Sequence, residues 1–221
     1  MLTQQLRLAA RRGDVRGVEE LVRTQGADVN SADDDGTTAL HMAAQHGHVD
    51  VARAVVSMAA NVEACGAQRT RPLHLAVHQG HVNVVEALVD MGADKEAELP
   101  AGETPLHLAV RRGNVEMVTT LAELGVNKEA RAKNGETPLL VAVQHGHVDV
   151  VTTLANLGVN KEAQDSQELR PMHMAALKGD VSMVKVMVKL GADKDARGPN
   201  GMSPLHLAVR RGNVEMVTTL A

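Results

Sequence analysis

The chain of 221 residues carries 27 acidic against 23 basic side chains, a formal charge of −4, which argues against a general affinity for nucleic acid or anionic membrane. Hydrophobic residues make up 44%, enough for a continuous core, yet Phe, Tyr, Trp and Ile are all missing, so Leu, Val, Ala and Met must build it. The single cysteine, Cys65, excludes an internal disulfide, and no apolar run approaches the roughly 18 residues of a membrane span.

The first predicted element is a short helix around Leu6-Arg7-Leu8-Ala9-Ala10, in a stretch to Arg12 that has three arginines and no acid. Such a start is compatible with a transit peptide, but register argues for a folded element. Its apolar residues align with later inner helices, and Gly13-Asp14-Val15 aligns with Gly113-Asn114-Val115. Gln4, Gln5 and Arg7 are then expected to form the polar outer face of a capping repeat. From Thr38 onward one phrase returns every 33 residues. It reads Thr-Pro-Leu-His-Leu-Ala at Thr104–Ala109, and variants begin at Thr38, Arg71, Thr137, Arg170 and Ser203. Its second apolar residue falls at Leu40, Leu73, Leu106, Leu139, Met172 and Leu205. A fixed period of this size marks a solenoid, in which each unit buries its apolar face against its neighbours.

The unit that begins at Thr104 shows how each period folds. Thr104 is a good N-cap and Pro105 suits the first helical position; Leu106, Ala109 and Val110 then share one helix face. Gly113 stops that helix, Asn114 caps a second with Val115, Val118, Leu121 and Ala122 on its apolar face, and Gly125 stops that one. Val126 to Glu136, with Asn134-Gly135, reads as a hairpin-like loop leading to the next cap. Two junctions depart from the pattern: Arg69 with Arg71, and Glu168 with Arg170, replace the turn glycine and the capping Thr. Ala59 also replaces a helix-stop glycine, so Ala59 to Arg71, holding Cys65, is expected to be the weakest interior segment. A longer period lies beneath: Pro105–Ala122 returns unchanged as Pro204–Ala221, 99 residues later, which implies duplication of a three-repeat block.

These residues resemble the ankyrin-repeat pattern, here Gly102-Glu103-Thr104-Pro105-Leu106-His107-Leu108-Ala109-Val110-Arg111-Arg112-Gly113, over essentially the whole chain. The resemblance implies an all-α solenoid of paired antiparallel helices joined by β-hairpin-like loops, with inner helices and loops lining a concave face. The chain divides as one domain, 1–221, into repeats 3–36, 37–69, 70–102, 103–135, 136–168, 169–201 and an incomplete 202–221. Leu205, Val209, Val217 and Leu220 are expected to have neighbours on one side only, with fraying or weak end-to-end association of a monomer there. The loop that usually reads Asp-Val-Asn-Ala in this family becomes Asn127-Lys128-Glu129-Ala130 and three similar tetrapeptides; only Asp28-Val29-Asn30 keeps the usual form.

No enzyme site is expected: no nucleophile–base–orienter set, phosphate loop or cofactor fingerprint appears, and the glycines are helix stops. His46 with His48, His78 with His81, and His145 with His147 invite a metal reading, but no cysteine or carboxylate completes a site in sequence, so no metal is expected. His41, His74, His107, His173 and His206 belong to the family phrase, where they resemble structural histidines that tie repeats together; Leu140 takes that place in one repeat. The best functional signal is the pair of residues before each inner-helix glycine. There stand Arg11, Arg12, His46, His78, Arg111, Arg112, His145, Lys178, Arg210 and Arg211, and no acid. Cations also complement a helix C-terminus, by about 0.3–1 kcal/mol, but paired arginines exceed that need. By the resemblance these residues face the concave groove together with the loop residues Glu103, Glu136, Leu169 and Met202. The expectation is a non-enzymatic protein-binding scaffold, intracellular in the cytoplasm or the nucleus, that takes an acidic segment of a partner. The alternative is RNA or anionic lipid on the same stripe, weakened by the lack of aromatic residues for base stacking.

Overall fold

A computed structural model describes all 221 residues, Met1–Ala221. Fourteen α-helices follow one another in pairs: α1 Leu2–Arg11 and α2 Val15–Arg23, α3 Ala39–His46 and α4 Val49–Ser57, α5 Pro72–Gln79 and α6 Val82–Asp90, α7 Pro105–Arg111 and α8 Val115–Glu123, α9 Pro138–His145 and α10 Val148–Asn156, α11 Pro171–Lys178 and α12 Val181–Lys189, α13 Pro204–Arg210 and α14 Val214–Leu220. The loops expected to be hairpin-like contain no paired strands. They are tight turns, two of which include a single 3₁₀ turn, at Ala67–Arg69 and Pro199–Gly201. With seven to ten residues each, the helices are too short to hold in isolation, so packing must supply their stability.

The pairs gather into two compact units, Met1–Pro100 with Glu123–Val126 and Ala101–Ala122 with Asn127–Ala221. In the first, α1, α3 and α5 pack side by side as an inner layer, and α2, α4 and α6 as an outer one. In the second, α7, α9, α11 and α13 form the inner layer, with α10, α12 and α14 in the outer. The repeating apolar residue makes the core of both. Leu6, Leu40 and Leu73 in the first unit, and Leu106, Leu139 and Met172 in the second, are at most 1% exposed. Burial of each stabilises by about 1.5–3 kcal/mol. In the last repeat Leu205 and Val217 are only half-buried and Val209 is 61% exposed, as expected; Leu220, against expectation, is buried at 1%.

The histidines of the phrase hold each loop in place. His41 Nδ1 accepts the Thr38 N–H at 3.2 Å, and His74 and His107 do the same for Arg71 (3.1 Å) and Thr104 (3.2 Å). A ring nitrogen that accepts an N–H carries no proton, so Nε2 is the donor. It donates to a loop carbonyl further along: His41 to Thr70 at 3.1 Å, His74 to Ala97 at 2.8 Å, His107 to Glu136 at 3.2 Å, and His173 to Met202 at 3.0 Å. In the first repeat Arg7 occupies the histidine's place. It is turned toward Asp33 at 3.6 Å and only 18% exposed, rather than forming the outer face expected of it. Partial burial works to raise the Asp33 carboxyl, but the Thr37 N–H, Arg7 and the Asp35 N–H outweigh it and hold it below its ordinary value.

A second set of ties explains the altered tetrapeptides. Asn30 spans two repeats alone: Nδ2 donates to the Ala59 carbonyl at 3.1 Å, and Oδ1 accepts the Asn61 N–H at 2.6 Å. Elsewhere the two jobs fall to separate side chains, a carboxylate and a lysine. Glu63, Glu129 and Glu162 accept the N–H of Asp94, Asn160 and Asp193 at 2.9, 2.6 and 2.8 Å. Lys95, Lys161 and Lys194 donate to the carbonyls of Leu124, Leu190 and Leu220, at the C-terminal ends of outer helices. Such a placement also sets a cation against the negative end of a helix dipole.

The irregular junctions adopt the backbone their missing glycines would have taken. Ala59 (φ 68°), Arg69 (φ 59°) and Glu168 (φ 62°) all sit in the left-handed region. Arg71 has no hydroxyl with which to cap α5, but its guanidinium reaches Glu63 at 2.5 Å and Asp94 at 3.3 Å, which offsets part of the loss. Where glycine is kept, space demands it as well: a Cβ on Gly135 would stand 2.7 Å from the Ser166 backbone nitrogen. That close approach lets consecutive loops of the second unit bond directly, Lys133 N–H to Ala101 O at 2.9 Å and Ser166 N–H to Asn134 O at 3.0 Å.

Candidate functional site

The residues before each inner-helix glycine are placed by that glycine. Gly113 at φ 70° and Gly212 at φ 67° stop α7 and α13, so the two preceding side chains project from the final turn. Arg11, Arg12, His78, Arg111, Arg112, His145, Lys178, Arg210 and Arg211 are exposed, and His46 is half-buried. Their partners divide them into groups. His46 and His145 donate from Nδ1 to carbonyls of their own helices, Met42 at 3.0 Å and Val141 at 2.9 Å. Each stacks on the histidine that opens the outer helix, with ring centroids 6.3 Å apart for His46–His48 and 6.0 Å for His145–His147. His48, His81 and His147 in turn bond the carbonyls of Arg11 (2.9 Å), Gln45 (3.2 Å) and Arg111 (3.0 Å). These three histidines therefore close the end of the preceding inner helix, and no three His, Cys, Asp or Glu side chains converge as a metal site. Lys178 acts similarly through a bond from Nζ to the Gln144 carbonyl.

Arg111 is paired with Glu103, which is itself only 13% exposed. This pair was not legible in the sequence, because helix periodicity does not relate a loop residue to one eight positions later. Glu136 accepts from Asn134 Nδ2 at 2.6 Å, and Leu169 and Met202 are half-buried on their loops. Glu103, Arg111 and Glu136 come together with Lys133 and Asn134 around an open cleft of about 340 Å³. Lys133 and Asn134 escaped notice in the sequence, where they read only as a turn. By contrast Arg11, Arg12 and Arg211 have no acidic partner, and Arg210 has only a 3.9 Å contact from Nη1 to the Met202 sulfur. The cations left uncompensated thus include one arginine pair in each unit. Exposed arginine pairs of this kind can attract anionic groups.

Burial lowers the pKa of His41, His74 and His173, with the carbonyl bond at Nε2 opposing it in each. These rings are neutral structural donors. No helix is long and apolar enough to cross a membrane.

Comparison with known proteins agrees with this architecture. The chain is similar to the crystal structure of the human ASB11 ankyrin repeat domain, with a TM-score of 0.81 and 30% identity over 97% of this chain and 95% of that one. It is also similar to the ankyrin repeat domain of Bcl-3, described as a unique member of the IkappaB protein family. There the TM-score is 0.88 and the identity 28%, over 98% and 97% of the two chains. Among curated proteins it is 61% identical over 41 residues to Integrin-linked protein kinase 1 of Arabidopsis thaliana, a stretch that is 19% of this chain and 8% of that protein. The family model described as ankyrin repeats (3 copies) matches residues 6–99, 92–165 and 157–221. With that model spanning nearly the whole sequence, and with paired helices from end to end, the chain belongs to the ankyrin-repeat family.

Proposed function

We propose that this chain is a non-enzymatic scaffold that holds an acidic, extended segment of a partner protein against the exposed C-terminal turns of its inner helices. Ankyrin repeats generally mediate protein–protein interactions, which sets the class. The observation that carries the chemistry is the presence of exposed arginine pairs, Arg11–Arg12 and Arg210–Arg211, without acidic partners in a chain whose acids outnumber its Lys and Arg. Their placement also complements helix dipoles, yet a dipole is served by one cation per helix. The absence of Phe, Tyr and Trp argues against the alternative, single-stranded RNA, because bases would have no ring to stack on. Exposed, unpaired Cys65 supports a reducing, intracellular setting.

Fluorescence anisotropy with labelled polyglutamate, polylysine and single-stranded RNA tests this reading, together with sedimentation of phosphatidylserine vesicles. Polyglutamate should bind and weaken as salt rises, while polylysine should not bind. Tighter binding of RNA or of the vesicles, with a steeper salt dependence, would reverse the assignment.

A further inference from the structure

Duplication has built a comparison into the second unit. Pro105–Ala122 and Pro204–Ala221 are identical, and each places two arginines at the end of its inner helix. Among the differences in their settings is the residue just before the N-cap. Glu103 pairs with Arg111 and is tucked in at 13% exposure, whereas Met202 gives Arg210 only its sulfur, at 3.9 Å. Leu169 and Leu177 hold the same two positions in the intervening α11 repeat, where the next residue is Lys178. An acid aimed at Arg111 meets the Glu103 charge as well, so attraction and repulsion largely cancel. An acid aimed at Arg210 and Arg211 meets two cations and no anion.

Resting on the binding role above, we propose that the residue before each N-cap is the charge selector of the binding face. Glu103 silences Arg111. Met202 and Leu169 put no anion against Arg210 and Arg211, or against Lys178, whose Nζ meets only the Gln144 carbonyl, and they stand beside aliphatic surface from Leu177 and the 61% exposed Val209. The second unit therefore takes an acidic segment interleaved with aliphatic side chains, and seats it on the last two repeats rather than on the α7 repeat. Carboxylates reach the cations, while the aliphatic groups cover Met202 and its neighbours.

Two labelled peptides, polyglutamate and a repeating Glu-Glu-Leu sequence, test the selector by anisotropy on the full chain. Wild type should prefer the Glu-Glu-Leu peptide. Met202→Glu should weaken both by roughly tenfold, since it rebuilds the Glu103 arrangement, and Met202→Gln should keep most of the affinity for polyglutamate. Glu103→Met should strengthen polyglutamate binding severalfold by releasing Arg111. Unchanged affinities in Met202→Glu and Glu103→Met, with binding lost in Arg210→Glu/Arg211→Glu, would overturn the selector and leave the binding role standing. No binding of either peptide to wild type would overturn both.

Discussion

His173 shows what a missing cap costs a single side chain. Its Nδ1 is buried without a partner, because Arg170 stands where Thr104 and Thr38 place a hydroxyl 2.9 Å from the equivalent nitrogen. Arg170→Thr should therefore raise stability by about 1 kcal/mol in urea denaturation, even though it gives up a half-exposed 3.2 Å pair with Glu162. Arg71→Thr looks like the same change in the sequence, but it should be close to neutral, because it breaks bonds to both Glu63 and Asp94. Ala59→Gly, which relieves a φ of 68°, should add about 1 kcal/mol. Acid should act through the buried histidines. Burial lowers His41, His74 and His173, so the unfolded chain takes up protons near 6.5 while the folded one resists. Stability from these rings is complete above that value and is lost as pH falls below it, toward their lower folded values. Melting measured from about pH 8 to about pH 5.5 should show this decline, and His41→Leu should flatten it. A flat profile in the wild-type chain would contradict neutral, buried rings.

At the scale of elements, the ties between repeats matter more than the helices they join. Glu129 accepts the Asn160 N–H at 2.6 Å across one repeat, half of what Asn30 does alone. Glu129→Asn should therefore be nearly neutral, whereas Glu129→Ala should cost about 1 kcal/mol. No loss in Glu129→Ala on chemical denaturation would mean the bond contributes nothing. The helices, their glycine stops and the core ladder from Leu6 to Met172 were all legible in the sequence, because a strict period displays each position several times. The ties were not. Arg7–Asp33, Glu103–Arg111 and the bonds from Glu129 and Lys161 to backbone groups one repeat on join residues on different elements, and such spacings follow no helical period. In the sequence they appear only as departures from the family phrase. The candidate stripe was legible as a list of cations. Which of them were already engaged, such as Arg111 and Lys178, required the geometry.

At the scale of the molecule, two identical sequences in different surroundings separate intrinsic from borrowed stability. In α8, Met117, Val118 and Leu121 are fully buried; in α14, Met216 is buried but Val217 is half-buried and Val214 is 77% exposed. Amide exchange in α14 should be faster than at the matching residues of α8, by the difference in local opening free energy. Equal protection would mean that these helices stand without their neighbours. Binding of an acidic segment by the uncompensated arginines is tested by polyglutamate anisotropy on wild type and Arg210→Glu/Arg211→Glu, with melting measured on both. Binding should be lost with melting nearly unchanged, since both side chains are exposed and unpaired with acids. Full binding by the reversed protein, or a stability loss of about 1 kcal/mol with binding intact as helix-dipole compensation would give, would contradict it.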